Sequence, residues 1–235
     1  MNLVLLFEED FIAEGTVRLS DRRFEHIRDT IGAAPGKIIK AGLLNGNLGE
    51  GEILETGEEQ LTMRVCLDQP PPEPLPLTLI FALPRPKTLK KVVHAAVSMG
   101  VKKIFIIECW KVDKSYWSSP LLEPGGLDEH IILGLEQGRD TVWPEIQLRR
   151  RFKPFVEDEL ENLTGDSLAL AAHPGDSESC PALVDKAVTL CIGPEGGFTD
   201  YEVDMLQKHG CKTVSLGERI MRTEVAIPAL IGRLF

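Results

Sequence analysis

The chain has 235 residues, 43% of them hydrophobic and 26% charged, and its 26 basic side chains against 36 acidic ones leave a net charge of −10. This ordinary globular composition suits one large domain or two modest ones, and the acidic balance excludes a protein whose whole surface grips a polyanion. No window approaches the roughly 20 apolar residues of a membrane span. The start, Met1–Phe7, lacks the basic region of a signal peptide, so a soluble, cytoplasmic protein is expected.

In chain order, Leu3–Phe7 reads as a first strand and about Arg22–Thr30 as a helix. Lys37–Ala41, Gly51–Leu54 and Leu61–Leu67 read as further strands, with Asn45-Gly46 and Gly57 marking turns. This part, residues 1–68, is expected to be a small β-rich, barrel-like domain. Residues 69–76 hold five prolines between positions 70 and 76. Proline fixes φ and lacks a backbone donor, so this stretch is an extended linker.

From 77 to 235 the pattern changes. Leu77–Leu83, Lys103–Glu108, Ser167–Ala172 and Ala187–Ile192 are continuous apolar runs, whereas Lys87–Met99 and Leu127–Gln137 have helical periodicity. Strands alternating with helices predict an α/β domain with a parallel sheet covered on both faces. Such sheets bind ligands beyond the carboxyl ends of their strands, so the loops after Ala172, Ile192 and Leu216 are where chemistry is expected.

Charge is unevenly spread. Arg85, Lys87, Lys90, Lys91, Lys102, Lys103, Lys111 and Lys114 face only Glu108 and Asp113 between positions 82 and 114. This stretch is either a local face for a polyanion or a set of solvated helix and strand edges. Cys66, Cys109, Cys180, Cys191 and Cys211 form no C-x-x-C pair. Buried, reduced thiols are expected, with neither a disulfide framework nor a metal site.

The expected strand end Leu190-Cys191-Ile192 runs into Gly193-Pro194-Glu195-Gly196-Gly197-Phe198, and Thr199 and Glu202 then have capping-box spacing for a helix start. The loop lacks the Lys-Ser/Thr of a phosphate loop and the G-x-G-x-x-G of a dinucleotide site. It suits an uncharged adenine or ribose contact, or a plain turn. About twenty residues on, the short strand Thr213–Leu216 leads into Gly217-Glu218-Arg219-Ile220-Met221-Arg222-Thr223-Glu224 and an apolar C-terminal segment.

I-G-P-E-G-G-F followed by S-L-G-x-R-I-M-R-T-E resembles the small-subunit ribosomal RNA uridine N3-methyltransferases of the SPOUT superfamily. His173-Pro174, just past a strand, fits the same family. The resemblance implies a PUA-like N-terminal RNA-binding domain, a knotted α/β methyltransferase domain and a homodimer. It also implies S-adenosylmethionine, held by Ala172, His173, Gly193, Pro194, Glu195, Gly196, Gly197, Leu216, Gly217, Ile220, Met221 and Arg222. Uracil N3 must lose its proton to become a nucleophile. Arg222 is the candidate stabiliser of the resulting imide anion, and Glu224 the candidate for orienting Arg222 or taking the proton. No metal is required, because a sulfonium already activates the methyl group.

Candidate contacts to small-subunit ribosomal RNA are Arg22, Arg23 and Arg28 in the first domain and Lys90, Lys91, Lys114 and Trp117 in the second. Trp117 is read either as a stacking platform for unpaired bases or as a dimer contact. The chain departs from the family pattern at Ala95–Ser98, at Cys109-Trp110 and at Arg139. Two other readings stand beside the leading one: methylation of another ribosomal or transfer RNA nucleotide, and a non-catalytic RNA-binding assembly protein that keeps the fold.

Overall fold

The structure is a computed structural model that describes residues 2–175 and 177–235. Two compact units share the chain, 1–73 with 131–143 and 74–130 with 144–235.

The first unit contains strands β1 (Val4–Leu6), β2 (Phe11–Ala13), β3 (Thr16–Leu19), β4 (Ile38–Leu43), β5 (Leu48–Thr56) and β6 (Leu61–Gln69). They form one sheet in the order β1-β4-β5-β6-β3-β2, with β1 parallel to β4 and the other pairs antiparallel. Alternate residues such as Val17 and Leu19 or Ile53, Leu61, Met63 and Val65 point into one apolar core with Phe24 and Ile27. Asn45 takes a left-handed φ of 56° in the β4–β5 connection, which its short polar side chain tolerates. Helix α1 (Arg22–His26) starts where Asp21 Oδ1 accepts the Arg23 N–H at 2.8 Å, and a π-helical turn, Ile27–Ile31, continues it.

Two sequence expectations are corrected here. Arg23 is buried, not exposed to a polyanion: its Nη1 and Nη2 donate to Asp10 at 2.6 and 2.7 Å, and Nη1 also donates to the Leu5 carbonyl at 2.7 Å. Cys66 is exposed, whereas Cys109, Cys180, Cys191 and Cys211 are buried thiols.

The second unit is built on β7 (Leu77–Ala82), β8 (Lys103–Ile107), β9 (Glu145–Arg149), β10 (Leu168–Ala172), β11 (Glu178–Ser179), β12 (Val188–Ile192) and β13 (Lys212–Ser215). All seven are parallel, in the order β11-β13-β10-β12-β7-β8-β9. Helix α2 (Pro86–Ser98) follows β7, with proline at its first position, where no donor is needed. It buries Leu89, Val92, Val93, Ala96 and Val97 on one face and ends before Gly100, whose φ is +85°.

Helix α3 (Asp128–Gly138) follows β8; the short helices α4 (Phe152–Pro154) and α5 (Glu161–Thr164) flank a π-helical segment, Phe155–Leu160, after β9. Helix α6 (Asp200–Lys208) starts at the expected capping box, with Glu202 Oε2 accepting the Thr199 N–H at 2.8 Å. Helix α7 (Thr223–Leu234) packs against α2 and buries Ile227, Leu230, Ile231 and Leu234 while tolerating Pro228 inside it. No helix among the described residues is long and apolar enough to cross a membrane.

Candidate active site

Beyond the carboxyl ends of β10, β12 and β13 lies a cleft enclosing, with its open mouth, about 720 Å³ of empty space. Its walls come from three segments at the strand ends: 172–174 from β10, 192–197 without Gly196 from β12, and 214–221 without Glu218 from β13. Thr223, Ala226 and Leu230 of α7 close the remaining side.

The sheet order brings these segments together. β10 lies between β12 and β13, with Ala172 level with both Ile192 and Val214. All three chains therefore leave the sheet side by side. The His173 N–H donates to the Val214 carbonyl at 3.0 Å, tying the first loop to the third.

The glycine loop is a tight turn in which the Gly197 N–H donates to the Pro194 carbonyl at 2.7 Å, with Gly197 at φ +71°. A Cβ on Gly193 would stand 2.9 Å from the Phe198 nitrogen, so the loop closes only with glycine there. At Gly197 and at Gly217 (φ +108°) a Cβ would meet no atom within 4 Å, which leaves bare backbone beside open space. His173 Nδ1 is buried without a partner, although the same residue lines the cleft. A buried unpaired nitrogen is costly unless a ligand or water answers it.

Two cations brace the loop, one at the N-cap of α2 and one in the turn after β8. Arg85 Nε donates to Glu195 Oε1 at 2.9 Å, and Lys111 Nζ donates to the Gly196 carbonyl at 2.8 Å. The hydrogen bond and charge of Glu195 hold the Arg85 guanidinium above its ordinary pKa. The sequence reading places both cations in an undifferentiated basic stretch; nothing in their spacing links Arg85 to a loop 110 residues away.

Of the expected cofactor contacts, Ala172, His173, Gly193, Pro194, Glu195, Gly197, Leu216, Gly217, Ile220 and Met221 line the cleft. Gly196 and Arg222 are not in its wall. Gly196 faces the Lys111 side chain, 3.1 Å from where its Cβ would be. Arg222 is the exposed N-cap of α7, and its carbonyl accepts the Val225 and Ala226 N–H groups at 2.9 and 2.8 Å. Wall residues absent from the expected set include Ser215, Arg219 and Thr223. Thr223 sits inside the R-T-E motif, so its place there was available as a signal.

Glu224 lies one residue further along α7, with a carboxylate oxygen 3.8 Å from Lys91 Nζ. Lys91, expected as an RNA contact, therefore stands next to the candidate base. Lys90, Lys114 and Arg28 are exposed, Arg28 pairing with Asp29 at 2.6 Å. Arg22 Nη1 donates to the buried Glu136 at 2.9 Å and keeps a partly exposed side chain.

Trp117 is a correction. It is buried under the Arg150 guanidinium, 5.4 Å from its ring centre, and Arg150 Nη2 donates to its carbonyl at 3.0 Å. It presents no free ring face for a base.

Residues 71–234 match a family model described as RNA methyltransferase domain. The chain belongs to this family. A relative from Treponema pallidum named Ribosomal RNA small subunit methyltransferase E is 30% identical over 96% of this chain and 87% of its own. One from Borreliella burgdorferi named Ribosomal RNA small subunit methyltransferase E 1 is 23% identical over 96% and 94%. A crystal structure of the Neisseria gonorrhoeae Ribosomal RNA small subunit methyltransferase E bound to S-adenosyl methionine has the same fold. It has a TM-score of 0.72 at 19% identity and covers 97% of this chain and 95% of that one. The family resemblance carried by the two loop motifs thus holds, and those motifs form two walls of the cleft in the methyltransferase domain.

Proposed function

We propose that this RNA methyltransferase transfers the methyl group of S-adenosylmethionine to N3 of a uridine in the 16S RNA of the small ribosomal subunit. The observation that carries the reading is the cleft itself, built from I-G-P-E-G-G-F and S-L-G-x-R-I-M beyond the carboxyl ends of three adjacent parallel strands. The names of the relatives supply the substrate class. When bound, S-adenosylmethionine supplies an electrophilic methyl group on a sulfonium.

The chain's own residues fit that ligand. Bare backbone at Gly197 and Gly217 suits close contact with a neutral adenosine, and Leu216, Ile220 and Met221 supply apolar wall for adenine. His173 Nδ1 is a buried polar atom awaiting a partner. Arg85 and Lys111 hold the glycine loop in place and so keep its backbone preorganised.

Arg222 supplies positive charge for the imide anion formed as uracil N3 loses its proton. Its exposed position at the mouth, outside the cleft wall, suits contact with RNA better than contact with the cofactor. Glu224, 3.8 Å from Lys91 Nζ, accepts the proton directly or through water.

The wider assignments belong to the same proposal. The β-rich first unit is read as a PUA-like RNA-binding domain, residues 69–76 as its linker, and 77–235 as a SPOUT domain with a knotted C-terminal part. Ile220 is 82% exposed, and Met221 and Val225 are also exposed large apolar side chains. Three such residues beside the cleft support a homodimer whose partner covers them. A small-subunit RNA substrate supports a cytoplasmic location.

The test is methyl transfer from labelled S-adenosylmethionine to 16S RNA, offered free and as small subunits, followed by nucleoside analysis. Labelled N3-methyluridine is expected. A different labelled nucleoside would move the target, and no transfer to either substrate would overturn the activity.

A further inference from the structure

A second pocket lies on the other side of the glycine-loop segment, within the same unit. It is lined by Trp110, Phe152, Lys153, Thr199, Tyr201 and Glu202. Trp110 follows β8, Phe152 and Lys153 belong to α4 after β9, and the other three stand at the start of α6. Gly193–Gly197 without Gly196 line the cofactor cleft, and Thr199, Tyr201 and Glu202, a few residues on, line this pocket.

Trp110 is 85% exposed and Tyr201 is 54% exposed, an unusual display of aromatic surface for a chain with only three tryptophans. Their setting is rigid. The Trp110 backbone N–H donates to Glu202 Oε1 at 2.7 Å, while Glu202 Oε2 accepts from the Thr199 N–H at 2.8 Å and its hydroxyl at 2.9 Å. Phe152 packs on Phe198 with ring centres 6.3 Å apart. The buried Glu202 carboxylate is thus occupied by the protein's own donors, and the pocket offers aromatic surface and the Lys153 ammonium.

Lys153, 3.6 Å from Glu157, is the cation in its lining. Exposed aromatic rings beside cations are what an unpaired nucleobase and its phosphates need. Because the Glu202 carboxylate is already bonded within the protein, the contact offered to a base is mainly stacking.

We infer that Trp110, with Tyr201 and Lys153, forms a stacking site for an unpaired RNA base next to the nucleotide that enters the cofactor cleft. The inference rests on the RNA-methyltransferase reading above.

The test uses the full-length protein and a labelled, uridine-rich single-stranded oligoribonucleotide, with affinity measured at several salt concentrations. Trp110→Ala should weaken binding roughly 5- to 150-fold, the range for loss of one base–aromatic stack, without changing the salt dependence. Trp110→Phe should restore most of it. Lys153→Ala should lower the salt slope by about 0.7, the value for one phosphate contact on a single strand. S-adenosylmethionine affinity should be unchanged in all three. The Trp110 backbone N–H to Glu202 survives Trp110→Ala and Trp110→Phe, so these variants should fold.

Unchanged RNA affinity in Trp110→Ala overturns the site. If the same variant also shifts the assembly state by sedimentation, the face is a protein contact instead. A wild-type protein that neither binds nor methylates RNA overturns the functional reading itself, whereas normal wild-type methylation with an indifferent Trp110→Ala overturns the stacking site alone.

Discussion

Replacing Arg23 with methionine tests whether this arginine holds the first unit together or contacts RNA. Its guanidinium makes two short bonds to Asp10, a third to the Leu5 carbonyl and further contacts to Asp21, and it lies 4.9 Å from the centre of the Phe7 ring. The Arg23 and Asp10 side chains are only 5% and 8% exposed, so solvent screens the pair little. Methionine fills much of the volume but leaves the Asp10 carboxylate buried, with the Phe7 N–H at 2.7 Å its remaining partner among the described residues.

Removing one member of a buried pair costs about 3–5 kcal/mol. With a urea slope of about 2 kcal/mol per molar, the unfolding midpoint of this unit should fall by roughly 1.5–2.5 M. The assay is urea unfolding followed by amide exchange in β1, β3 and β6, which reports the first unit specifically. The double variant Asp10→Asn, Arg23→Met removes the orphan charge and should recover much of the loss. An unchanged midpoint together with weakened RNA binding would refute the structural role and return Arg23 to the RNA-contacting set.

Gly193→Val should raise the S-adenosylmethionine dissociation constant about tenfold or more, because its Cβ would fall 2.9 Å from the Phe198 nitrogen and 3.0 Å from the Phe198 ring. Gly196→Val should change it by less than about twofold, since only the flexible Lys111 side chain must move; calorimetry that ranks the two oppositely would reject this account of the loop. Arg222→Ala should lower kcat about 10²–10³-fold with cofactor affinity intact, and a variant altered only in KM would remove Arg222 from the chemistry. At Asp21, burial raises the carboxyl pKa, but hydrogen bonds from Arg23 and the charges of Arg23 and Arg22 override it and hold the net value below 3.8. The stability this carboxylate contributes is therefore complete above its ordinary range and is lost as pH falls through the lowered value. Acid titrations of wild type and Asp21→Asn should differ in slope only below about pH 4; divergence confined to higher pH would contradict the assignment.

Much of the second unit was legible because its signals are local. Apolar runs such as Leu77–Ala82 and Val188–Ile192 become inner parallel strands, and the faces of α2 follow helical spacing. The Thr199/Glu202 capping box fixes a helix start within four residues, and the glycines of the 193–197 loop mark a turn that side chains would obstruct. Each of these depends on neighbours within a turn or a strand, which a sequence displays directly.

What escaped depends on partners far along the chain. Arg23 reads as a surface cation until the fold of the first unit sets Asp10 against it, and a tryptophan's exposure has no local signature, so Trp117 and Trp110 look alike in sequence. The clearest case is the glycine-loop brace. Phe81 of β7 pairs with Ile192 of β12, so the two chains leave the sheet side by side, and a few residues later Arg85 meets Glu195. β8 lies on the far side of β7, with Ile107 level with Ala82, and its continuation carries Lys111 to the Gly196 carbonyl. The sequence by itself determined which segments are strands and which loops carry glycine. The order of those strands in the sheet, set by the packing of the whole domain rather than by any local pattern, decided which distant cations those loops would meet.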